Sequence, residues 1–366
     1  MNKTGVDILL NENGRDVIRW QRALREILKE DTIILEIEPQ IDTGAKRFGV
    51  TQTVIIHVEI EGCAKKYFLK SPSEQLYSEE MPWDSAKEVY WRTNGYHSCP
   101  AHVPLLAAGY VNAEGLVETR GTLGDKLVVI EPEIEGLPFR FFFDSSRPYS
   151  EQEGLSHATL ISEYFRTLHV EEPDLNAPAK YYRSLRDAFW NPTIRLLHAN
   201  SLFWSAFPNR TAFITEKLLE WQARLAQNPQ RLRRVHLDFH PWNIILNDTG
   251  INVIGRRIPG YGDPADDIAC IMANDYAFSL SSHGTLAHGF RRCFCELLRY
   301  YTVEAFPDDP KGELLTPFFA KRLILFLSPT HYQFTSTLQD TLWSALHDLL
   351  NRKIFLCDLA EGEFGD

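Results

Sequence analysis

The segment Val235-His236-Leu237-Asp238-Phe239-His240-Pro241-Trp242-Asn243-Ile244-Ile245-Leu246 carries the residues best suited to chemistry. Asp238 falls in a tight loop between a helix and a hairpin. A carboxylate there accepts a proton from a hydroxyl, or orients that hydroxyl for attack. Asn243 offers a neutral oxygen, suited to a hard cation such as Mg²⁺. His236, counted with Asp238 among the catalytic candidates, can tie the loop down through hydrogen bonds, and the hairpin over 244–254 would hold it rigid. Downstream lies Gly262-Asp263-Pro264-Ala265-Asp266-Asp267-Ile268-Ala269. Turn and capping chemistry accounts for part of it, since Asp263 can cap a helix begun by Pro264. That makes Asp263 and Asp267 structural supports but leaves the constellation as a whole unexplained.

These residues resemble the catalytic loop of the aminoglycoside phosphotransferase and choline kinase family, itself a relative of protein kinases. The family pattern is His-x-Asp-(aromatic or Leu)-His-Pro-x-Asn followed by apolar residues. The chain matches it from His236 through His240 to Asn243. Residues 262–269 resemble the family's Gly-Asp-Pro-x-x-Asp-Leu-Ala segment, and two linked motifs at familial spacing are a strong signal. The resemblance implies transfer of the γ-phosphate of ATP (or GTP) to a hydroxyl of a small molecule, such as an aminoglycoside, amino alcohol or sugar. Asp238 would orient the acceptor hydroxyl, and Asn243 would help bind Mg²⁺.

Upstream the resemblance is looser. Tyr67-Phe68-Leu69-Lys70 stands where the family has a third strand ending in a lysine on the ATP phosphates. Glu88 stands for the helix glutamate that orients this lysine. Lys65 and Lys66 compete for the lysine role. Residues 43–51, with Gly44 and Gly49, would form the loop over the phosphates, where glycine permits close backbone approach. Adenine would lie against the stretch from Ile130 to Ile134. His169, at the end of the family's first long helix, reads as structural. The acceptor pocket would involve the helices after Asp267, including Asn274, Asp275 and Tyr276. Asp275 reads better as an ordinary surface carboxylate.

The pattern breaks at one place. Family members usually carry a second metal-binding aspartate after the hairpin, and here that context is Val253-Ile254-Gly255-Arg256-Arg257. Gly255 has no side chain to offer a cation. Three readings stay open. Asp263, Asp266 or Asp267 substitutes; or an arginine neutralises phosphate directly; or the chain is a pseudokinase that keeps a nucleotide- or ligand-binding scaffold without transfer. A transferase of another group, such as a nucleotidyl transferase, is a further alternative. Leu237 also stands where the family commonly has glycine.

The elements that must position these residues follow from hydrophobic spacing. Residues 16–29 read as an amphipathic helix. Strands are expected at 33–37, 53–58, 66–70, 105–111 and 126–131, with a helix over 84–94. From Gly136 the spacing turns helical, at 155–169, 212–225, 288–301, 317–327 and 338–351. One hairpin interrupts these helices, at 244–246 and 251–254. The expected fold is α+β, bilobal and protein-kinase-like, with a small five-stranded sheet lobe and a larger helical lobe. Its parts are an N-terminal helical extension (1–32), a nucleotide-binding lobe (33–135) and a catalytic and acceptor-binding lobe (136–366).

Composition narrows the classes. The chain has 366 residues, 44% apolar and 24% charged, ordinary for a globular protein. A net charge of −11 repels nucleic acid unless positive charge is gathered in one patch, and 231–234 is too short for that. No apolar run approaches the roughly 20 residues that span a bilayer, and the first residues do not read as a secretory signal. Six scattered cysteines without a Cys-x-x-Cys pair argue against zinc and disulfides and suit the cytoplasm. Nothing in the chain specifies an oligomeric state.

Overall fold

The computed structural model describes residues 22–26, 32–39, 51–72, 99–103, 105–111, 117–118, 126–144, 147–171, 176–199, 204–205, 207–248, 250–256, 260–328 and 332–361. The chain divides into two compact units after Glu135, with 99–101 joining the second.

The first unit is built on strands β1 (Thr32–Pro39), β2 (Thr51–Ile60), β3 (Cys63–Pro72), β4 (Ala107–Val111), β5 (Val117–Glu118) and β6 (Lys126–Pro132). They form one antiparallel sheet in the order β1-β2-β3-β6-β4-β5. Glu61-Gly62 joins β2 to β3, both residues at positive φ (51° and 76°). Two-residue turns of this kind match the twist of the strands they connect. Along β2, buried Ile56, Val58 and Ile60 alternate with half-buried Ile55, His57 and Glu59, so one face turns inward. Tyr67, Leu69 and Ile130 complete this core with Ala23 and Leu24 of the helical stretch 22–26. Each such apolar side chain contributes about 1.5–3 kcal/mol on burial.

The five expected strands are present, and the sixth, β5, is a two-residue pairing with β4. A pair that short leaves no periodicity to read. Of the expected helix over 16–29, residues 22–26 are helical and the remainder lies outside the described residues. The helix at 84–94 and the glycine loop at 43–50 also lie outside them.

The second unit is mainly helical. Its helices are α1 (Glu151–Leu168), α2 (Ala177–Ser184), α3 (Asn191–Ala199), α4 (Pro208–Leu225), α5 (Ala265–His283), α6 (His288–Arg299), α7 (Thr316–Phe326), α8 (Ser336–Leu350) and α9 (Leu356–Glu361). Short strands β7 (Leu137–Pro138), β9 (Ile244–Asn247) and β10 (Gly250–Val253) form one small sheet. β8 (Arg233–Arg234) and β11 (Tyr261–Gly262) form another. Ser150 and Glu153 close a reciprocal capping box at the start of α1. At the centre lies α5, buried at every position from Ala265 to Ser279. Tyr276 packs against Phe319 of α7, and Phe319 meets Phe294 of α6 edge-on. Among the described residues, no helix is long and apolar enough to cross a membrane.

One expectation is overturned here. Asn274, Asp275 and Tyr276 are only 2%, 0% and 1% exposed, so they line no open acceptor pocket and Asp275 is not a surface carboxylate. Burial pushes the Asp275 carboxyl well above its usual range, which keeps it neutral in the core.

Candidate active site

The loop from His236 to Asn243 is held from below by α5. Asp267, in the first turn of that helix, accepts hydrogen bonds from the backbone N–H groups of His236 and Leu237, both at 2.7 Å. His169 Nε2 lies 3.1 Å from the same carboxylate. Burial alone would raise the Asp267 pKa, but the His169 contact and the His236 interactions outweigh it and hold it below the usual value. This anchorage lets Leu237 occupy φ = 68°, a conformation that costs a non-glycine residue roughly 1–2 kcal/mol. Leu237 thus holds a backbone shape that glycine favours.

Asp263 supports the same region from the other side. Its carboxylate accepts Nε and Nη2 of buried Arg231 at 2.7 and 2.9 Å and the Tyr181 hydroxyl at 2.7 Å. It also caps α5 through the Ala265 N–H at 3.0 Å. Both Asp263 and Asp267 are thus engaged by donors from within the chain.

His236 was expected beside Asp238 in the catalytic pair, and its position corrects that. The ring is fully buried, and Nδ1 accepts the Asp238 N–H at 3.3 Å. Burial pushes its pKa down to about 4, so the ring is neutral at ordinary pH. It shapes the loop from within and is out of reach of a ligand.

Asp238 itself keeps 14% of its side chain exposed. Its Oδ1 lies 3.5 Å from Nη1 of Arg322, and its Oδ2 lies 3.8 Å from Nε2 of His240. These separations exceed the N–H···O range of about 2.7–3.2 Å. His240 supports the loop, which the sequence also suggested, through Nδ1, which accepts the Trp242 N–H at 3.2 Å, while its Nε2 faces the Asp238 carboxylate. Asn243 donates from Nδ2 to the Asp238 carbonyl at 2.9 Å, which fixes its side chain.

Gly255 has φ = 73°, and a Cβ there would stand 2.8 Å from Asn243 Nδ2 and 2.9 Å from Oδ1. A side chain at 255 would meet the Asn243 amide at once, so position 255 adjoins Asn243 in space. Arg256 does not fill the gap as a phosphate-neutralising cation. It is buried, and it donates from Nε to the Val235 carbonyl and from Nη2 to the Gly260 carbonyl, at 2.9 and 2.8 Å. Arg257 lies outside the described residues. Asp266 is committed as well, accepting Lys321 Nζ on both oxygens at 2.7 Å. Among the described residues no cluster of three His, Cys, Asp or Glu side chains can hold a metal. Asn243 Oδ1 is one neutral oxygen, short of the one or two carboxylates that Mg²⁺ ordinarily takes from a protein. The described residues therefore do not by themselves fit a resident metal.

In the first unit, Lys70 pairs with Thr53 of β2 and Val129 of β6, in a central strand of the sheet. Its side chain, together with Gly44, Gly49 and Glu88, lies outside what is described. Lys66 is taken up at the surface by Glu133, at 3.6 Å. Ile130 is buried in the sheet core, and its carbonyl accepts the Leu106 N–H at 2.9 Å, so its side chain serves packing. Ile134 is half-buried.

Sequence reasoning missed Lys321 and Arg322. A signal existed: two adjacent cations inside Thr316-Pro317-Phe318-Phe319-Ala320-Lys321-Arg322-Leu323-Ile324-Leu325-Phe326, an otherwise apolar helix. Charges in a buried helix are almost always partnered. Burial disfavours the Arg322 charge, but Cys270, Asp266 and Asp238 outweigh it and raise its pKa.

With this geometry described, comparison with known proteins adds three findings. Residues 159–299 match the sequence model of the "Phosphotransferase enzyme family". A thiamine kinase of Salmonella paratyphi B is 30% identical over 93 residues, which is 25% of this chain and 32% of that protein; a thiamine kinase of Salmonella newport matches equally. The chain thus spans about a third of the length of these curated relatives. The amicoumacin kinase hAmiN, solved with AMP-PNP, Ca²⁺ and Ami, superposes with a TM-score of 0.52 at 12% identity, covering 96% of each chain. That likeness establishes the protein-kinase-like α+β fold. Residues 159–299, which match that family model, hold the Asp238 loop and the start of α5.

Proposed function

We propose that the chain transfers the γ-phosphoryl group of a nucleoside triphosphate, ATP or GTP, to a hydroxyl of a small molecule. The observation that carries this reading is Asp238, partly exposed on a loop pinned by Asp267 and flanked by His240 and Arg322. The acceptor hydroxyl donates to the Asp238 carboxylate, and its oxygen attacks the γ-phosphorus. The bond from that phosphorus to the oxygen bridging to the β-phosphorus breaks, the nucleoside diphosphate leaves, and the hydroxyl proton passes to Asp238. Positioning supplies most of the effect in such a transfer. Lys70 is the residue we assign to the α- and β-phosphates, with Glu88 as its orienting partner and Gly44 and Gly49 permitting close backbone approach to them. Asn243 Oδ1 is the side-chain oxygen we assign to any divalent cation that arrives with the nucleotide.

Support comes from the family match across the loop and from the thiamine kinases and amicoumacin kinase, small-molecule kinases by name. Mass spectrometry of products from ATP and a panel of hydroxylated acceptors tests the reading. A mass gain of one phosphoryl group is expected, whereas a nucleotide adduct would assign a different transferase. A second reading, a silent nucleotide-binding scaffold, is favoured by Gly255, which withdraws a carboxylate from beside Asn243. ATP binding without phosphoryl transfer to any acceptor would select it.

A further inference from the structure

Arg322 is 7% exposed, and its guanidinium makes no hydrogen bond of normal length among the described residues. Nε is buried without a hydrogen-bond partner. Nη1 reaches Asp238 only at 3.5 Å, and Nη2 reaches Asp266 only at 3.8 Å. A buried N–H left without an acceptor is destabilising, so an arginine in this state calls for another partner. Asp266 does not need it, because Lys321 already binds both oxygens of that carboxylate at 2.7 Å and donates to the Ala188 carbonyl at 2.8 Å. The guanidinium is therefore an underused set of donors standing beside the partly exposed carboxylate of Asp238. Its Nη1 lies on the Oδ1 side of that carboxylate, while His240 occupies the Oδ2 side.

From this arrangement we infer that Arg322 is a specificity-determining residue of the acceptor site, selecting acceptors whose reacting hydroxyl has a second oxygen on the neighbouring carbon, as in a sugar or polyol. The inference rests on the transfer reading above and narrows its acceptor class. One hydroxyl donates to Asp238, and the adjacent oxygen accepts from Arg322. A guanidinium has donors and no acceptor, so it can satisfy an oxygen but not an ammonium. An ammonium at that place would also stand against the arginine's charge. Amino alcohols, which put nitrogen beside the hydroxyl, are thereby disfavoured.

The test is an NMR titration of the full chain with D-ribose and glycerol against choline and ethanolamine, on wild type, Arg322→Met and Arg322→Lys. Product formation from ATP is followed in the same samples. Ribose and glycerol are expected to bind at least about ten-fold more tightly than the two amino alcohols. Arg322→Met weakens ribose binding by about 10–100-fold and leaves choline unchanged, a difference that loss of structure alone would not produce. Arg322→Lys keeps the charge between Asp238 and Asp266 but loses the planar fork, and falls between the two. Should methionine unfold the chain, the lysine variant carries the test by the same comparison. Tighter binding of the amino alcohols, no binding of either polyol, or unchanged ribose affinity in both variants overturns the inference. Ribose binding that depends on Arg322 without phosphoryl transfer keeps the inference and sinks the transfer reading. Transfer with unchanged affinity in the variants does the reverse.

Discussion

Replacing Asp267 by alanine should cost a large part of the stability of the chain. The carboxylate is fully buried and accepts from three groups: the His236 N–H, the Leu237 N–H and His169 Nε2. Each buried donor left without an acceptor costs about 1–3 kcal/mol. Removing one partner of a buried charged pair typically costs about 3–5 kcal/mol. The expected loss is therefore about 3–5 kcal/mol, a large part of the roughly 5–15 kcal/mol that holds an ordinary domain together. The loss has a second component, since Leu237 is held at φ = 68° by the bond from its own N–H to Asp267. Freed of that bond, the loop relaxes and Asp238 loses its placement, so turnover falls along with stability. Urea unfolding of the full chain followed by tryptophan fluorescence measures the first effect, and turnover in the native baseline measures the second. The pH dependence gives an independent check. The folded pKa of Asp267 lies below its unfolded value, so its contribution is present above about pH 4 and is lost as pH falls through the folded pKa. Asp267→Asn removes that acid-limb term. A loss under about 1 kcal/mol with unchanged turnover would refute the reasoning, because three buried hydrogen bonds cannot vanish at so small a cost.

Other perturbations follow from the same contacts. Arg231→Met leaves the buried Asp263 carboxylate without its cation and takes a donor from the Tyr301 hydroxyl, and should lower unfolding free energy by about 3–5 kcal/mol, read by denaturant titration. Gly255→Asp places a Cβ against the Asn243 amide at positive φ; it should cost about 1–2 kcal/mol and disturb the Asn243 bond to the Asp238 carbonyl, visible as a lower melting temperature and an altered Asn243 side-chain NMR signal. His157 and His236 both have folded pKa values pushed down by burial to about 4, from an ordinary 6.5. The unfolded chain binds the extra protons, so stability is full above about pH 6.5 and falls toward pH 4, by about 1.4 kcal/mol per pH unit for each histidine. His236→Gln should remove its share of that slope in a pH series of melts.

What was legible in the sequence was what is local. The loop from His236 to Asn243 is a continuous string, so its residue types and order could be read directly. The amphipathic helices α1, α4, α6, α7 and α8 announced themselves by spacing, with ends within a few residues of those found. Helix α5 was recognised only at its start, because a helix buried all round has no polar face to set a period. The same blindness misplaced Asp275, which sits in that buried stretch with no local sign of its surroundings. The turns Leu185–Trp190 and Tyr300–Ala305 widen the helical hydrogen-bonding pattern, a departure that residue types do not encode. Contacts between distant segments were equally hidden. Arg256 looked like a cation for phosphate until its donors were found on the Val235 and Gly260 carbonyls. Arg322 reaches Asp238 from a helix far along the chain, and only its place in an apolar run hinted at a buried partner.

The most direct test is a single-turnover assay with γ-labelled ATP and a hydroxylated acceptor, comparing wild type with Asp238→Asn. Loss of a general base typically lowers the rate by about 10²–10⁴-fold, and a drop of that size in labelled acceptor, with ATP still bound, is the predicted result. Equal rates from the two proteins would contradict the assignment of Asp238 as the proton acceptor.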